Sequence, residues 1–306
     1  MPVIWNTGQA ETIESLSDEQ IVELGFSTPV QIQQMAQSSP GSYWYIFGEA
    51  NRFGYITGTR FAPVFHYFLE NILLGDPTAK IIGTSILNWD FICIGCGGYQ
   101  SGKSWLTDFI SSYEARYGEK PPVDVWAIDA YPIDWHNTPN NDPGNLAFYD
   151  GDTVLHSHIV TQQLQRMRQY LNTNGYENTP IWITEIAIHV GYGYGLNDRD
   201  GWEWVEYPTK MAPQGPYHWD LMGNYLIEIF DWLETNAESN KIEKWFFFST
   251  WDDIENVGPD GYMGITFFDS KDVGASLNCL GEIFRTRSLG LPPVKCDGNG
   301  VTVSAN

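Results

Sequence analysis

PIWITEIAI, at residues 180–188, and SYWYIFGEAN, at residues 42–51, are the two stretches that decide the fold. Each is a run of aliphatic, β-branched and aromatic residues, which is typical of a buried strand in a parallel sheet. Each carries one glutamate, Glu185 or Glu49, where the apolar run gives way to loop residues. Functional groups of (β/α) barrels lie at the carboxyl ends of the strands, so these positions predict chemistry. Two such carboxylates can together cleave a glycosidic bond, one as the acid and the other as nucleophile or base.

Strand and helix patterns alternate along the chain, which predicts α/β units around a parallel sheet. The predicted barrel strands are residues 1–5, 43–48, 80–86, 123–132, 180–188 and 242–253, and residues 262–269 resemble a hairpin arm. The predicted helices are residues 18–25, 28–39, 58–75, 103–117, 153–173, 217–238 and 275–287. We therefore expect a TIM-type (β/α) barrel over residues 1–288, followed by a C-terminal tail at residues 289–306.

The charge of the chain restricts the partners that it can bind. With 38 acidic and 16 basic residues, the net charge is −22, which disfavours nucleic acid and anionic membrane surfaces. No apolar run is long enough to predict a membrane span. Aromatic residues make up 15% of the chain, and their rings suit the flat faces of sugars. We expect a neutral oligosaccharide or polysaccharide as the substrate, and an extracellular protein whose signal peptide is not part of this chain.

The cysteines predict structure rather than metal binding. Cys279 and Cys296 are placed to tether the C-terminal tail. Cys93 and Cys96 have C-x-x-C spacing, but no second pair of this kind follows, which favours a disulfide or plain thiols over zinc. His156 and His158 have no third ligand at metal spacing. No metal and no cofactor are predicted.

With Glu49 and Glu185 at these positions, the chain resembles the clan A glycoside hydrolases, and within the clan it is similar to compact members that are Asl1-like or family 39-like. These enzymes are (β/α)8 barrels with the acid/base after strand four and the nucleophile after strand seven. The resemblance covers residues 1–288 and implies Glu49 as acid/base and Glu185 as nucleophile. It also implies that Tyr131, in DAYP, donates a hydrogen bond to the nucleophile, and that Trp251, in STWDD, lies under the sugar. The implied activity is hydrolysis of β-linked glucan, xylan or mannan by a retaining mechanism.

Four further residues are candidates for binding the substrate. Asn51 follows the acid/base, His189 follows the strand of Glu185, Trp202 lies in a long aromatic loop, and Trp5 ends the first predicted strand. Each of them also has an ordinary structural interpretation, since a loop histidine can cap a turn and a tryptophan can fill the core.

The sequence departs from the clan in two ways. Gly48 and Ala50 stand where the clan has the asparagine and proline of its NEP motif, so the usual partner of the sugar 2-hydroxyl is missing, and Asp129 stands where the clan often has histidine. If Glu49 follows strand four, the barrel has only strands three to eight. The chain is then a fragment, is completed by a homo-oligomer, or closes differently. These departures keep open a second function, a non-catalytic carbohydrate-binding protein on a degenerate barrel.

Overall fold

The computed structural model describes most of the chain, with gaps. The described residues are 13, 16–23, 25–52, 56–87, 89, 100–131, 157–186, 189–190, 194–195, 203–204, 219–248, 262–263 and 266–305. Within them the helices are α1 (Asp18–Glu23), α2 (Pro29–Ser38), α3 (Gly58–Gly75), α4 (Gly102–Tyr117), α5 (Ser157–Thr173), α6 (Trp219–Asn236) and α7 (Cys279–Ser288). The strands are β1 (Tyr43–Tyr45), β2 (Lys80–Leu87), β3 (Val125–Ala130), β4 (Ile181–Ile186), β5 (His189–Val190), β6 (Tyr194–Gly195), β7 (Glu203–Trp204), β8 (Ile242–Phe247), β9 (Tyr262–Met263), β10 (Val294–Cys296) and β11 (Thr302–Ser304).

The main sheet confirms the predicted α/β class. Its five parallel strands have the order β1-β2-β3-β4-β8 and alternate with helices along the chain, so the part of the chain that the structure describes is consistent with an incomplete TIM-type barrel. Five of the six predicted barrel strands are therefore present. The sixth, residues 1–5, lies outside the described residues. The predicted hairpin arm forms only a two-residue strand, β9, which pairs antiparallel with β5.

Contacts divide the chain into two compact units. The first contains residues 1–129 and 169–182, and the second contains residues 130–168 and 183–306. Helix α7 ends at Ser288, and the predicted division at residue 288 into a barrel and a tail stays a prediction. Within the part of the chain that the structure describes, no helix is long and apolar enough to cross a membrane.

The start of α2 in the first unit is as the sequence predicts. Pro29 begins the helix after the N-cap Thr28, whose hydroxyl accepts the Gln31 N–H.

The first unit also has an aromatic core between α3 and α4. The core rings pack edge-on or tilted at centroid distances of 5.1–6.1 Å, and they belong to Phe61, Phe65, Trp105, Phe109 and Tyr113. Such ring pairs add to the stabilisation that burial itself supplies. This layer fixes α3 and α4 against each other.

A β-bulge interrupts the pairing of β2 with β3. Ile82 lies opposite Val125, but the next pair is Ser85 with Ala127, so β2 uses one more residue than β3 over this interval. The bulge begins at Gly83, where a Cβ atom would come within 2.7 Å of the Trp126 ring. Only glycine lets the tryptophan pack this closely. Bulges re-aim the side chains that follow them, and here those side chains belong to Thr84 and Ser85.

The second unit closes with the C-terminal segment. A disulfide joins Cys279, at the start of α7, to Cys296, at the end of β10, which confirms the predicted tether. The antiparallel pair of β10 with β11 continues the tail. Rings of Phe230, Phe247, Phe267 and Phe284 pack together nearby. In this unit the Phe248 N–H donates to the Ile186 carbonyl, which ties the end of β8 to the end of β4.

Candidate active site

Glu49 lies on a turn, not on a strand. The sequence predicts a strand over residues 43–48, but β1 ends at Tyr45. The prediction is wrong there because Phe47 has φ +62° and Glu49 has φ +48°, a left-handed conformation that cannot continue a strand. The Phe47 ring packs edge-on against Phe26, Phe61 and Phe68, and this packing offsets the strain of its backbone.

The backbone of Glu49 is held by a buried side-chain network within the first unit. The Glu49 N–H donates to the Ser85 hydroxyl oxygen over 2.8 Å, and the Ser85 hydroxyl donates to Asp129 Oδ2 over 2.6 Å. Both Ser85 and Asp129 are buried, while Glu49 is partly exposed. Carboxylate oxygens of Glu49 and Asp129 lie within 4.8 Å of each other. The pair could contribute ligands to a hard cation, but a two-carboxylate glycosidic mechanism requires none.

Asn51 is engaged by the backbone. Its side-chain amide donates to the carbonyls of Leu87 and Gln100, over 2.9 and 3.1 Å, and its Oδ1 accepts the Leu87 N–H. Only 1% of Asn51 is exposed. These bonds tie the segment that follows Glu49 to the end of β2, and a contact between Asn51 and sugar stays a prediction.

Glu185 lies near the end of β4 within the second unit. It is partly exposed, and its Oε2 accepts a short hydrogen bond from the Tyr131 hydroxyl. Tyr131 follows β3 directly and is only 1% exposed. Its carbonyl accepts a hydrogen bond from Gln163 Nε2, over 3.1 Å, from helix α5. The hydrogen bond that the resemblance implies for these two residues is therefore present.

The other predicted binding residues fall at or beyond the limits of the described chain. Trp5, Trp202 and Trp251 lie outside the described residues. His189 belongs to β5, whose backbone pairs with Met263 of β9. Their proposed contacts with sugar stay predictions.

Three residues near the two glutamates were missed by the sequence interpretation. They are Thr84 and Ser85, on β2, and Gln163, on α5. A usable signal existed for the first two, because the isolated Gly83 inside the apolar run KIIGTSI indicates a bulge. Gln163 gave no such signal, since a glutamine within an amphipathic helix normally faces solvent.

Similarity to known proteins exists at the level of structure. No family profile matches the chain, and no curated protein matches its sequence. A glucosidase from Croceicoccus marinus matches with 13% identity and a TM-score of 0.50, over 90% of this chain and 50% of that one. A GH128 subgroup II endo-β-1,3-glucanase from Pseudomonas viridiflava matches with 15% identity and a TM-score of 0.49, over 89% and 83%. The GH26 endo-β-1,4-mannanase domain of Bacillus sp. JAMB-750 matches with 14% identity and a TM-score of 0.42, over 85% and 55%.

These structural neighbours are glycoside hydrolases, and at such identities the similarity shows the fold alone. The TM-score of 0.50 with the glucosidase supports this conclusion about the fold. The chain spans about half the length of that glucosidase.

Proposed function

We propose that this protein is a retaining glycoside hydrolase that acts on neutral β-linked glycans. Glu185 is the nucleophile and Glu49 is the general acid/base. The observation that carries the proposal is the hydrogen bond from the buried Tyr131 hydroxyl to the carboxylate of Glu185 at the end of β4. A hydroxyl that donates to one carboxylate oxygen orients the group for nucleophilic attack.

The topology of the sheet supports the pairing of the two glutamates. Glu49 follows β1 and Glu185 lies near the end of β4, and both strands belong to the same parallel sheet. Carboxyl ends of parallel barrel strands form one face, which is where such enzymes carry out chemistry. A retaining mechanism requires the two carboxyl groups to lie about 5–5.5 Å apart when substrate is bound.

The reaction then follows two balanced steps. In the first, a Glu185 oxygen bonds to the anomeric carbon while the bond to the leaving oxygen breaks, and protonated Glu49 transfers its proton to that oxygen. In the second, Glu49 takes a proton from water, whose oxygen attacks the anomeric carbon and releases Glu185. Each glutamate ends in its starting protonation state, and the anomeric configuration is retained.

The charge and the fold support a neutral glycan as substrate. A chain with net charge −22 repels glycans that carry carboxylates or sulfates. The glucosidase with which it shares its fold is, by its name, an enzyme that acts on a neutral sugar. We propose β-linked glucan, xylan or mannan as the class to screen first.

Location and assembly form part of the same proposal. The Cys279–Cys296 disulfide supports an extracellular site of action, because such bonds persist in oxidising compartments. We also propose that a homo-oligomer covers the open part of the barrel. Sedimentation equilibrium tests this, and a monomer at micromolar concentration would contradict it.

A second candidate function is a carbohydrate-binding protein without catalysis. The observation that favours it is Gly48, which offers no side chain to the sugar 2-hydroxyl. Hydrogen bonds to that hydroxyl strengthen in the transition state, so their loss weakens catalysis more than binding.

Covalent trapping distinguishes the two functions. The protein is incubated with 2-deoxy-2-fluoro-β-glycosides of glucose, xylose and mannose, and its peptides are analysed by mass spectrometry. We expect one sugar on the peptide that contains Glu185, and no label in Glu185→Gln. Glu177→Gln, in the exposed turn before β4, is the matched control and should be labelled like the parent. Hydrolysis with inverted configuration, or a label elsewhere, would overturn the nucleophile assignment. Glycan binding without any turnover would establish the second function.

A further inference from the structure

We infer that Ser85 and Asp129 form a positioning pair that holds the Glu49 carboxylate in place for proton transfer. This inference rests on the proposed role of Glu49 as acid/base. Ser85 acts on the backbone N–H of Glu49, and Asp129 acts on Ser85, so neither role requires contact with the substrate.

The backbone ladder between β1 and β2 stops before it reaches Glu49. The last paired residues are Tyr45 and Ile82, and the last backbone bond is from Ile46 N–H to the Ile82 carbonyl, over 3.4 Å. Beyond this point the backbone N–H groups bind side-chain hydroxyl groups of β2 instead of its backbone carbonyls. The Glu49 N–H binds the Ser85 hydroxyl over 2.8 Å, and the Ala50 N–H contacts the Thr84 hydroxyl over 3.4 Å. The turn that carries Glu49 is thus attached to β2 by hydroxyl groups.

The bulge explains why two consecutive residues can serve this turn. In a regular strand, successive side chains point to opposite faces of the sheet. The extra residue between the Ile82–Val125 and Ser85–Ala127 pairs breaks this alternation. Thr84 and Ser85 can therefore both direct hydroxyl groups toward the same turn.

Asp129 sets the direction in which the Ser85 hydroxyl works. A serine hydroxyl has one proton to donate and two lone pairs to accept with. Here the proton goes to Asp129 Oδ2 over 2.6 Å, so a lone pair faces the Glu49 N–H. Bonds to a carboxylate are the stronger kind, and this one is buried, because 0% of Ser85 and 1% of Asp129 are exposed. Asp129 thereby fixes Ser85, and Ser85 fixes Glu49.

Glu49 needs this support because of its backbone conformation. Its φ of +48° is costly for a residue with a side chain and persists only when the surroundings enforce it. If the turn relaxes, the Cα–Cβ bond of Glu49 changes direction and the carboxylate moves away from the leaving oxygen. A misplacement of about 1 Å in a catalytic group can cost on the order of 100-fold in rate.

The test compares four variants of the full chain. Ser85→Ala and Asp129→Ala should each lower kcat on a substrate with a poor leaving group by roughly 10- to 100-fold. Asp129→Asn keeps an oxygen that can accept from Ser85, so we expect a loss of less than about tenfold. The double variant Ser85→Ala/Asp129→Ala should be no slower than the worse single variant within about twofold, because the two residues act in series.

Leaving-group dependence separates positioning of the acid from general damage. An activated aryl glycoside hardly needs protonation, so the variants should keep close to the parental kcat/KM on it, the parameter that reports the first step, and the losses on the two substrates are compared as kcat/KM. Thr28→Ala is the matched control. It removes another bond from a backbone N–H to a hydroxyl in the same unit, at the start of α2. It should lower the melting temperature and leave both rates unchanged. Equal losses on both substrates, or an unchanged kcat in folded Ser85→Ala, would overturn the inference while leaving the proposed function intact.

Hydrogen exchange of the Glu49 amide tests the pair without relying on activity. We expect Ser85→Ala to accelerate exchange at this amide by tenfold or more relative to Thr28→Ala, and Ser85→Thr, which keeps the hydroxyl, to restore protection. An unchanged exchange rate would overturn the inference even if the parent is an active glycosidase. If the parent hydrolyses no glycan but its Glu49 amide responds as expected, the proposed function fails and the positioning of Glu49 stands.

Discussion

The two glutamates are held in opposite ways. Glu185 belongs to β4, and its carboxylate is held directly by the Tyr131 hydroxyl. Glu49 lies on a left-handed turn after β1, and its backbone, not its carboxylate, is held by Ser85. A nucleophile must keep one fixed direction of attack, whereas an acid/base must give up a proton and take one back. A hydrogen bond to the carboxylate suits the proposed nucleophile, and a hydrogen bond to the backbone suits the proposed acid/base.

Removing each carboxylate gives the largest expected effects. Glu185→Gln should lower kcat by about 10⁴-fold or more on every substrate, because no nucleophile is left. Glu49→Gln should lower kcat/KM, which reports the first step, by about 10²–10⁴-fold with a poor leaving group and far less with an activated aryl glycoside. Steady-state kinetics on both substrate types measures the difference. Glu177→Gln and Glu70→Gln, at exposed positions, are the controls. Equal losses on both substrates in Glu49→Gln would contradict its role as the acid.

The same contrast explains what the sequence could predict. Glu185 lies in a strand whose apolar run matches the observed β4 closely, since strand periodicity is a local property. The Cys279–Cys296 bond and the cap at Thr28 were also readable locally. The turn of Glu49 was not, because the left-handed φ of Phe47 depends on packing against Phe61 and Phe68, which come later in the chain.

The hydrogen bonds of the site were equally hard to predict from the sequence, because they join residues that are far apart along the chain. The bond between Tyr131 and Glu185 joins residues 54 positions apart and followed only from the resemblance to a family. The bond from Glu49 to Ser85 spans 36 positions, and no sequence pattern predicted it. The hydrogen bonds of the Asn51 amide to the Leu87 and Gln100 carbonyls could not be predicted either, because the neighbours of Asn51 in sequence do not indicate them.

Tyr131→Phe removes the hydrogen bond to the Glu185 carboxylate and leaves the bond between Glu49 and Ser85 in place. Loss of the hydroxyl frees the Glu185 carboxylate to rotate, and kcat should fall by about 10- to 100-fold. The phenyl ring still fills the core. Tyr176→Phe is the matched control, since the buried Tyr176 hydroxyl donates to the Pro121 carbonyl away from both glutamates. It should lose stability and keep its activity. A Tyr131→Phe protein with the parental kcat would show that Glu185 does not depend on this bond.

Gly48→Asn adds a side-chain amide directly before Glu49 and so tests the second glutamate of the comparison. Gly48 is not among the residues with positive φ, and a Cβ there would meet Tyr45 Oη at 3.4 Å and Ser85 Oγ at 3.8 Å, which small shifts accommodate. An asparagine amide could then bind the sugar 2-hydroxyl, and we expect kcat/KM to rise by about tenfold. The control is the 2-deoxy substrate, on which the gain should vanish. An equal gain on both substrates would exclude the 2-hydroxyl as its cause.

The smallest expected effect concerns acid stability at the start of β1, the strand that precedes the turn of Glu49. Asp76 is 5% exposed and accepts hydrogen bonds from the Thr78 hydroxyl and from the Gly41 N–H just before β1, and these bonds lower its pKa. A carboxylate with a lowered pKa stabilises the folded state above its unfolded pKa, and this contribution disappears as pH falls through the folded value. Asp76→Asn should therefore lower the melting temperature by a few degrees at pH 7, and the difference should close in acid.

Asp297 provides the matched comparison in the C-terminal tail. Hydrogen bonds from the backbone N–H groups of Val301 and Asn299 lower its pKa in the same direction. It is more exposed than Asp76, so Asp297→Asn should change the melting temperature less at every pH. Thermal melts of both variants at pH 7, 5 and 3 measure the two effects. If the Asp76→Asn difference persisted at pH 3, the ionised carboxylate would not be its source, and the polar contacts of the side chain would have to explain it instead.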